Sequence, residues 1–214
     1  MKLIILGPPG TGKGTISRFI EAKFGCEHIS TGDLLRAEVA KKTSIGIKIE
    51  RILNEGKLVS NETAMQVLSK KIRSLKDGFV LDGFPRNIQQ AKLLDGLLSQ
   101  QKSSLDLVLE IDSDDKVVIE RLSSRRQCIK CKRIYGHHVP SKKVGVCDDC
   151  GSETIIREDD KSKAIKQRLK IYHKITKPLV TFYTKKKLLM KINGNRSLDK
   201  IFPELEKILK KRVK

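Results

Sequence analysis

Tryptophan is absent and aromatic residues make up only 4% of the 214 positions, so the core of this protein has to be aliphatic, built from Leu, Ile and Val. No apolar run approaches the ~20 residues that a membrane-crossing helix needs, which removes a spanning helix from the expected plan. The first residues enter an apolar strand directly, without the charged region, apolar stretch and cleavage site of a secretory leader, and a cytoplasmic location is expected. Acids are scarce beside bases: 25 Asp and Glu against 45 Lys and Arg give a formal charge of +20. That balance predicts attraction to polyanions such as nucleotides and nucleic acids. Many of the lysines, however, stand in runs such as Lys41-Lys42, Lys70-Lys71 and Lys185-Lys186-Lys187 on expected helix surfaces, where solubility is the simpler role. There is no internal repeat and no low-complexity linker. A chain of this length suits one domain, or one core with insertions, that buries roughly 70% of its unfolded surface.

What is present begins with Leu3-Ile4-Ile5-Leu6, an apolar run that breaks into Gly7-Pro8-Pro9-Gly10-Thr11-Gly12-Lys13-Gly14-Thr15 and resumes with helical periodicity. Strand, glycine loop and helix start follow in that order. Glycines let successive backbone N–H groups crowd inward around phosphate oxygens, and the helix aims its positive end at the same place. Lys13 can reach the outer phosphates, and a hydroxyl just beyond it can serve Mg²⁺. The general phosphate-loop pattern has Ser or Thr directly after the lysine; here Gly14 intervenes and the hydroxyl falls on Thr15.

Further along, Ile16, Phe19, Ile20 and Phe24 keep helical spacing and Gly25 stands where a C-cap belongs. A strand around Glu27-His28-Ile29 leads into Ser30-Thr31-Gly32-Asp33-Leu34-Leu35-Arg36 and two short helices reaching about Leu58. His28, a lone histidine in a strand, is expected to be structural. Ser60 caps the next helix, with Ala64, Leu68, Ile72 and Leu75 inward until Asp77-Gly78 stops it. Phe79-Val80-Leu81 is a buried strand that ends in Asp82-Gly83-Phe84-Pro85-Arg86, and ligands of open α/β sheets bind at such carboxyl ends. Ile88, Ala91, Leu94 and Leu98 predict a helix, Leu105 to Ile111 a fourth strand, and Val117 to Leu122 another helix. A basic helix is expected from Asp159 to Lys177, kinked or ended by Pro178. A last strand from Leu188 to Ile192 turns at Asn193-Gly194, and Ile201, Leu205, Ile208 and Leu209 mark the closing helix, after which Lys210 to Lys214 should fray. Alternating strands and helices predict an α/β fold with a parallel sheet covered on both faces.

Of five cysteines, four form the pairs Cys128-x-x-Cys131 and Cys147-x-x-Cys150, fifteen residues apart, and in the expected cytoplasmic compartment metal ligation stands ahead of a disulfide framework. That spacing suits four thiolates closing a tetrahedral structural zinc site. Ile134, Tyr135, Val139, Val144 and Val146 are too few to hold the insert by burial, so metal ligation would supply its folding free energy. A redox pair or two disulfides is the other reading of these cysteines. His137 and His138 are alternative ligands, expected at the surface because four cysteines already fill the site. Cys26 is expected to be a small buried residue.

The phosphate loop from Gly7 to Thr15 with its Gly-Thr ending, Ser30 to Arg36, Asp82 to Arg86 and the four-cysteine insert together resemble the adenylate kinase family in its long-lid, zinc-carrying form, over essentially the whole chain. The resemblance implies ATP + AMP ⇌ 2 ADP with Mg²⁺. It implies that Gly10, Thr11, Gly12, Lys13, Gly14 and Thr15 hold ATP with Arg121 and the backbone at Arg196. It assigns AMP to Thr31, Arg36, Lys57, Val59, Gly83, Arg86 and Gln90, and Mg²⁺, through water, to Asp82. Lys13, Arg86, Arg121, Arg125, Arg157 and Arg168 are the implied catalytic set. Phosphoryl transfer asks for positioning and charge stabilisation rather than a nucleophile, and guanidinium forks suit phosphate better than lysine does.

The implied architecture is a three-layer P-loop core of residues 1–29, 60–125 and 158–214, a helical segment at 30–59 that binds the nucleoside monophosphate, and a zinc-ribbon-like lid at 126–157 that closes over the donor. ATP and AMP are the expected partners of a monomer, with no membrane and no nucleic acid as its main ligand. Thr31 favours AMP, since pyrimidine monophosphate kinases tend to have alanine there, whereas Asn87 also occurs in those relatives. A UMP/CMP kinase, a GTP-using AMP kinase and a basic zinc-ribbon protein that binds nucleic acid are the other readings of the same residues.

Overall fold

A computed structural model describes residues 1–75, 78–136 and 139–212. The apolar opening run forms β1 (Lys2–Leu6), and the glycine loop leads into α1 (Lys13–Phe24), which Gly25 ends with a positive φ and an N–H bonded to Glu21 O. Next come β2 (Glu27–Ser30), α2 (Thr31–Ala40) and α3 (Ser44–Asn54), the two short helices expected before Leu58. Ser30 and Thr43 cap these helices by accepting from the N–H groups of Asp33 and Gly46. α4 (Asn61–Arg73) is capped by Ser60 as expected. It stops at Ser74, earlier than the Asp77-Gly78 signal suggests, because Ser74 turns back on Lys71 O through both its N–H and its hydroxyl; Asp77 itself lies outside the described residues.

The chain continues through β3 (Phe79–Asp82), α5 (Ile88–Gln100), β4 (Leu107–Asp112) and α6 (Asp115–Ser124). The cysteine insert holds β5 (Arg126–Cys128), β6 (Ile134–Tyr135) and β7 (Thr154–Ile155), a small antiparallel sheet in the order β6-β5-β7. The expected single helix from Asp159 is instead a short 3₁₀ turn (Glu158–Asp160), α7 (Ser162–Ile171), a π-helical turn (Tyr172–Thr176) and α8 (Pro178–Lys185). Pro178 neither kinks nor merely ends a helix. It opens α8 at the first-turn position, where its missing N–H costs nothing. β8 (Leu189–Asn193) and α9 (Leu198–Lys210) complete the chain. Lys210 is still helical, while the expected fraying of Val213 and Lys214 lies outside the described residues.

The central sheet is parallel throughout, in the order β2-β3-β1-β4-β8. Strand residues alternate between two aliphatic clusters. Ile4, Leu6, Leu81 and Val108 face α4, α5 and α8, with Leu68, Leu94 and Tyr183 among their partners. Leu3, Ile5, Val80, Leu107, Leu109 and Ile111 face α1 and α9, with Ile16, Ile20, Ile201 and Leu205 opposite. The result is three layers with a core that needs little aromatic mass. Each fully buried Leu or Ile contributes about 1.5–3 kcal/mol relative to exposure. Among the described residues no helix is long and apolar enough to cross a membrane.

Register then decides where chemistry can happen. Ile5 pairs with Asp82 and Leu6 with Glu110, so the carboxyl ends of β1, β3 and β4 lie level. From that edge the chain leaves β1 toward one side of the sheet, to β2, and leaves β4 toward the other, to β8. A crevice opens where connections diverge in this way.

Candidate active site

At that edge a cleft of about 910 Å³ runs between the sheet, the two short helices and the small antiparallel sheet. The glycine loop forms its floor. Gly7 has φ of +145°, and a Cβ there would stand 2.4 Å from Ile111 O; Gly10 has φ of +83°, and its Cβ would meet Leu122 Cγ at 2.7 Å. A side chain at either place would push the loop off β4 or α6. Thr11 Oγ1 donates to Pro8 O at 3.1 Å, and the Lys13 ammonium donates to Gly7 O at 3.0 Å and Pro8 O at 2.6 Å. Burial pushes Lys13 down to about 8 from 10.5, with Arg86, Arg168 and Arg125 adding to the fall and Asp82 opposing it.

Asp82 stands at the end of β3, with His28 Nε2 3.7 Å from its Oδ2. A Cβ at Gly14 would lie 3.3 Å from the same oxygen, so the carboxylate reaches into the mouth of the loop. Burial disfavours its charge, but His28 and Lys13 outweigh that and hold Asp82 below the ordinary carboxylate range. His28, expected to be structural, thus belongs to the electrostatics of the cleft. For Mg²⁺ the residues fit: an ionised buried carboxylate faces the hydroxyl-bearing end of the loop, the hard-oxygen donor set this ion takes beside phosphates.

The short helices supply the other end. Thr31 is 3% exposed, and its hydroxyl oxygen is buried without a hydrogen-bond partner, a polar group left for a ligand. Arg36 donates to Asp33 Oδ1 at 2.5 Å and lies 3.9 Å from Asp159. Burial and Arg157 lower the Arg36 pKa. Arg86 Nε donates to Gly83 O at 2.9 Å, and its backbone N–H donates to Gln90 Oε1 at 2.7 Å. Lys57 pairs with Glu55 at 2.5 Å and stays largely exposed, while Val59 packs against the first aliphatic cluster.

Three further arginines line the cleft, Arg125 and Arg157 from the two ends of the cysteine insert and Arg168 from α7. Arg125 grips Asp160 with two bonds of 2.6 and 2.5 Å, Arg157 grips Asp159 with two of 2.8 and 2.6 Å, and Arg168 donates to Asp160 Oδ1 at 2.9 Å. Burial, Arg125 and Arg157 push Arg168 down to about 10 against the pull of both acids. Burial works against the Asp159 carboxylate as well, but Arg168, Arg157 and Arg36 hold it far below its ordinary pKa. Arg121 donates to Gly194 O at 2.8 Å, and the Arg196 guanidinium pairs with Glu204 at 2.5 Å while the residue lines the cleft.

Every residue that the sequence points to for nucleotide or magnesium lines this one cleft. Asp33, Asp159 and Asp160 are what sequence reasoning missed. An Asp-Asp pair two residues past an arginine was the available signal, but its partners at 125 and 168 are distant in the chain. The arrangement is a row of forked cations, of which Arg36, Arg125, Arg157 and Arg168 are held by carboxylates that a phosphate can displace.

The four cysteines of the insert also meet. All their Sγ atoms lie within 4.8 Å of one another, with Cys128–Cys150 and Cys131–Cys147 at 3.4 Å. Those separations exclude disulfides, and all five cysteines are free thiols. A tetrahedron of Zn–S bonds of about 2.3 Å has edges of roughly 3.8 Å, so the cluster fits zinc. Cys128, Cys147 and Tyr135, with Cys150 against them, are also the only buried cluster described in the insert. Tyr135 Oη donates to Cys147 Sγ at 3.3 Å and accepts from the Asp148 N–H at 2.7 Å. His137 and His138 lie outside the described residues. Cys26 is buried against Met1 O, apart from the cluster.

Comparison with known proteins agrees with this geometry. A family model described as adenylate kinase matches residues 5–188. The adenylate kinase of Finegoldia magna is 43% identical over 216 residues, covering 99% of this chain and 100% of its own. That of Methanothrix thermoacetophila is 42% identical, with 99% of both covered, and that of Pseudothermotoga lettingae is 39% identical over the full length of both.

Proposed function

The chain belongs to the adenylate kinase family and transfers a phosphoryl group between ATP and AMP, with Mg²⁺ accompanying the nucleotide and a structural zinc in the insert; from that premise we propose how its residues divide the work. Residues 1–29, 60–125 and 158–214 act as the core, 30–59 as the acceptor-binding segment and 126–157 as a lid over the donor. The loop from Gly10 to Thr15 cradles the donor phosphates, Arg121 closes on the triphosphate and the group in flight, and the Arg196 backbone meets the donor base. Thr31, Lys57, Val59, Gly83 and Gln90 surround the acceptor base, while Arg36 and Arg86 grip its phosphate. Lys13, Arg86, Arg125, Arg157 and Arg168 surround the group in flight. Asp82 and Thr15 would hold Mg²⁺, Asp82 through water, and the ion neutralises phosphate charge when bound.

The observation that carries this reading is the set of carboxylate-held arginines along one wall. With no nucleophile required, catalysis rests on charges already in place when the transferred group spreads its own. Asp159 and Asp160 keep the guanidiniums oriented in the absence of nucleotide, and an arriving phosphate takes over their forks. Closing the lid excludes water, so that the acceptor, not solvent, receives the phosphoryl group. Free thiols at ligating distance suit a reducing compartment, and we place the protein in the cytoplasm.

Initial rates with AMP, CMP, UMP and GMP against ATP or GTP test the substrate reading, with ADP from ATP plus AMP as the expected main product. Arg36→Ala tests the division of labour. It should raise the KM for AMP at least about tenfold while the KM for ATP stays within about twofold, the size expected when one charged phosphate contact is lost. An equal rise in both constants would refute separate phosphate sites.

A further inference from the structure

Behind the acceptor end of the cleft, the side-chain amides of Asn87, Asn61 and Gln89 form a hydrogen-bonded relay, tied to Gln90 through that residue's backbone N–H, which fixes the relay's polarity. The Arg86 N–H donates to Gln90 Oε1 at 2.7 Å, and the Gln90 N–H donates to Asn87 Oδ1 at 2.8 Å. A backbone N–H only donates, so both amide oxygens are identified and committed. Asn87 is left with its Nδ2, which donates to Asn61 Oδ1 at 2.9 Å, and Asn61 Nδ2 in turn donates to Gln89 Oε1 at 2.8 Å. With its oxygen turned to the Arg86 N–H, Gln90, 2% exposed, has its Nε2–H₂ to offer the cleft it lines.

The relay joins two places that matter. Asn61 is the first residue of α4, directly after the acceptor-binding segment, and Asn87 is the N-cap of α5, which carries Gln90. Neither asparagine lines the cleft, so whatever they do to substrate passes through Gln90. Without the Asn61 contact the Gln90 N–H alone holds the Asn87 amide, so the turn of α5 that carries the base reader is less firmly placed.

We propose that Asn61 and Asn87 are positioning residues for acceptor-base selection. The Arg86 N–H orients the Gln90 amide so that its Nε2 donates, and Asn87, braced by Asn61, accepts from the Gln90 backbone N–H and so holds the turn of α5 from which that amide is presented. This favours bases whose ring nitrogen on the pairing edge accepts, adenine and cytosine, over guanine and uracil, whose ring N–H would set donor against donor. A base edge that leaves a buried polar group unpaired is penalised strongly. The proposal rests on the assignment of Gln90 to the acceptor base. It leaves the choice between adenine and cytosine to the rest of the pocket.

The test is steady-state kinetics with AMP, CMP, GMP and UMP at saturating ATP, on the wild type and on Asn61→Ala, Asn61→Asp, Asn87→Thr and Gln90→Ala. Asn87→Thr keeps a capping oxygen but has no amide to reach Asn61. Asn61→Asp keeps the acceptor for Asn87. Loss of one well-placed hydrogen bond predicts a rise of about 3- to 10-fold in the KM for AMP and a narrowed AMP-to-GMP preference in Asn61→Ala and Asn87→Thr. The KM for ATP and the Tm should hold steady, and Asn61→Asp should restore the KM for AMP. If Gln90→Ala raises the KM for AMP and Asn61→Ala does not, the relay is overturned; if Gln90→Ala changes nothing, the assignment of Gln90 fails first. Equal rises in both KM values in Asn61→Ala would mark general loosening and overturn the proposal too. Should Asn87→Thr fail to fold, the Asn61 pair decides alone.

Discussion

Lys13 carries a charge that its burial opposes. Burial, with three guanidiniums nearby, pushes it down to about 8, whereas a triphosphate in the loop supplies negative charge that raises it again. The sign follows from linkage: a group whose pKa is higher in the bound state takes up a proton on binding wherever it is partly deprotonated in the free state. Below about pH 7, then, Mg-ATP binding should release or take up little on account of Lys13. Near pH 8 to 8.5 it should take up about half a proton, and affinity should fall as pH rises further. Calorimetry in buffers of different ionisation enthalpy reads this directly. Lys13→Met should abolish the uptake and cut kcat by about 10²-fold or more, because an ammonium aimed at developing charge is lost. An uptake that survives in Lys13→Met would assign the proton to another group. Lys13 and its glycines were legible because the pattern is local, nine residues that carry their own geometry. Asp159, Asp160 and His28 were not, because a counter-ion is defined by what it meets across the fold: His28 by Asp82, Asp160 by Arg125 and Arg168.

Among the elements, the cysteine insert has the least to hold it. Its three strands span three, two and two residues, and its buried cluster is the metal ligands themselves with Tyr135. Strands this short have no independent stability, so the metal is the core. Removing it with a strong chelator should release about one zinc per chain and lower the Tm by roughly 5–10 °C, the shift expected for a few kcal/mol in a chain of this size. Proteolysis should then cut within 126–157 while the parallel core persists, turnover should collapse, and added zinc should restore both. Unchanged Tm and proteolysis after verified metal loss would show an insert that stands without it. The spacing of the cysteines carried this element plainly, since ligand spacing is itself the structural constraint. The stretch from Asp159 to Lys185 was harder to read. Helical periodicity runs on through it, yet the backbone widens into a π turn at Tyr172–Thr176 and restarts at Pro178, and neither change alters the pattern of apolar residues. α4 likewise ends where Ser74 finds Lys71 O, a capping contact that periodicity does not encode.

Taken whole, the molecule places a cleft of paired cations within a strongly positive surface, and the two should respond differently to salt. The +20 formal charge is spread over exposed lysines, and their field beyond a Debye length is screened at moderate ionic strength. The arginines of the cleft wall are mostly buried and chelated by Asp159 and Asp160, at 12 to 16% side-chain exposure for Arg125, Arg157 and Arg168. Screening reaches them little. Salt should therefore act on the encounter with nucleotide and spare the chemical step: between about 50 and about 500 mM KCl, kcat/KM for ATP should fall about three- to tenfold while kcat stays within about twofold. Stopped-flow binding and steady-state rates at matched pH separate the two effects. A polyanion such as a single-stranded oligonucleotide should slow turnover at low salt only as much as its added ionic strength does, because the cleft we assign to the two nucleotides is walled by buried, carboxylate-held arginines. If the oligonucleotide instead competes with ATP, with a steep loss of affinity as salt rises, the surface charge has a ligand of its own and the lysine excess is more than a solvated face.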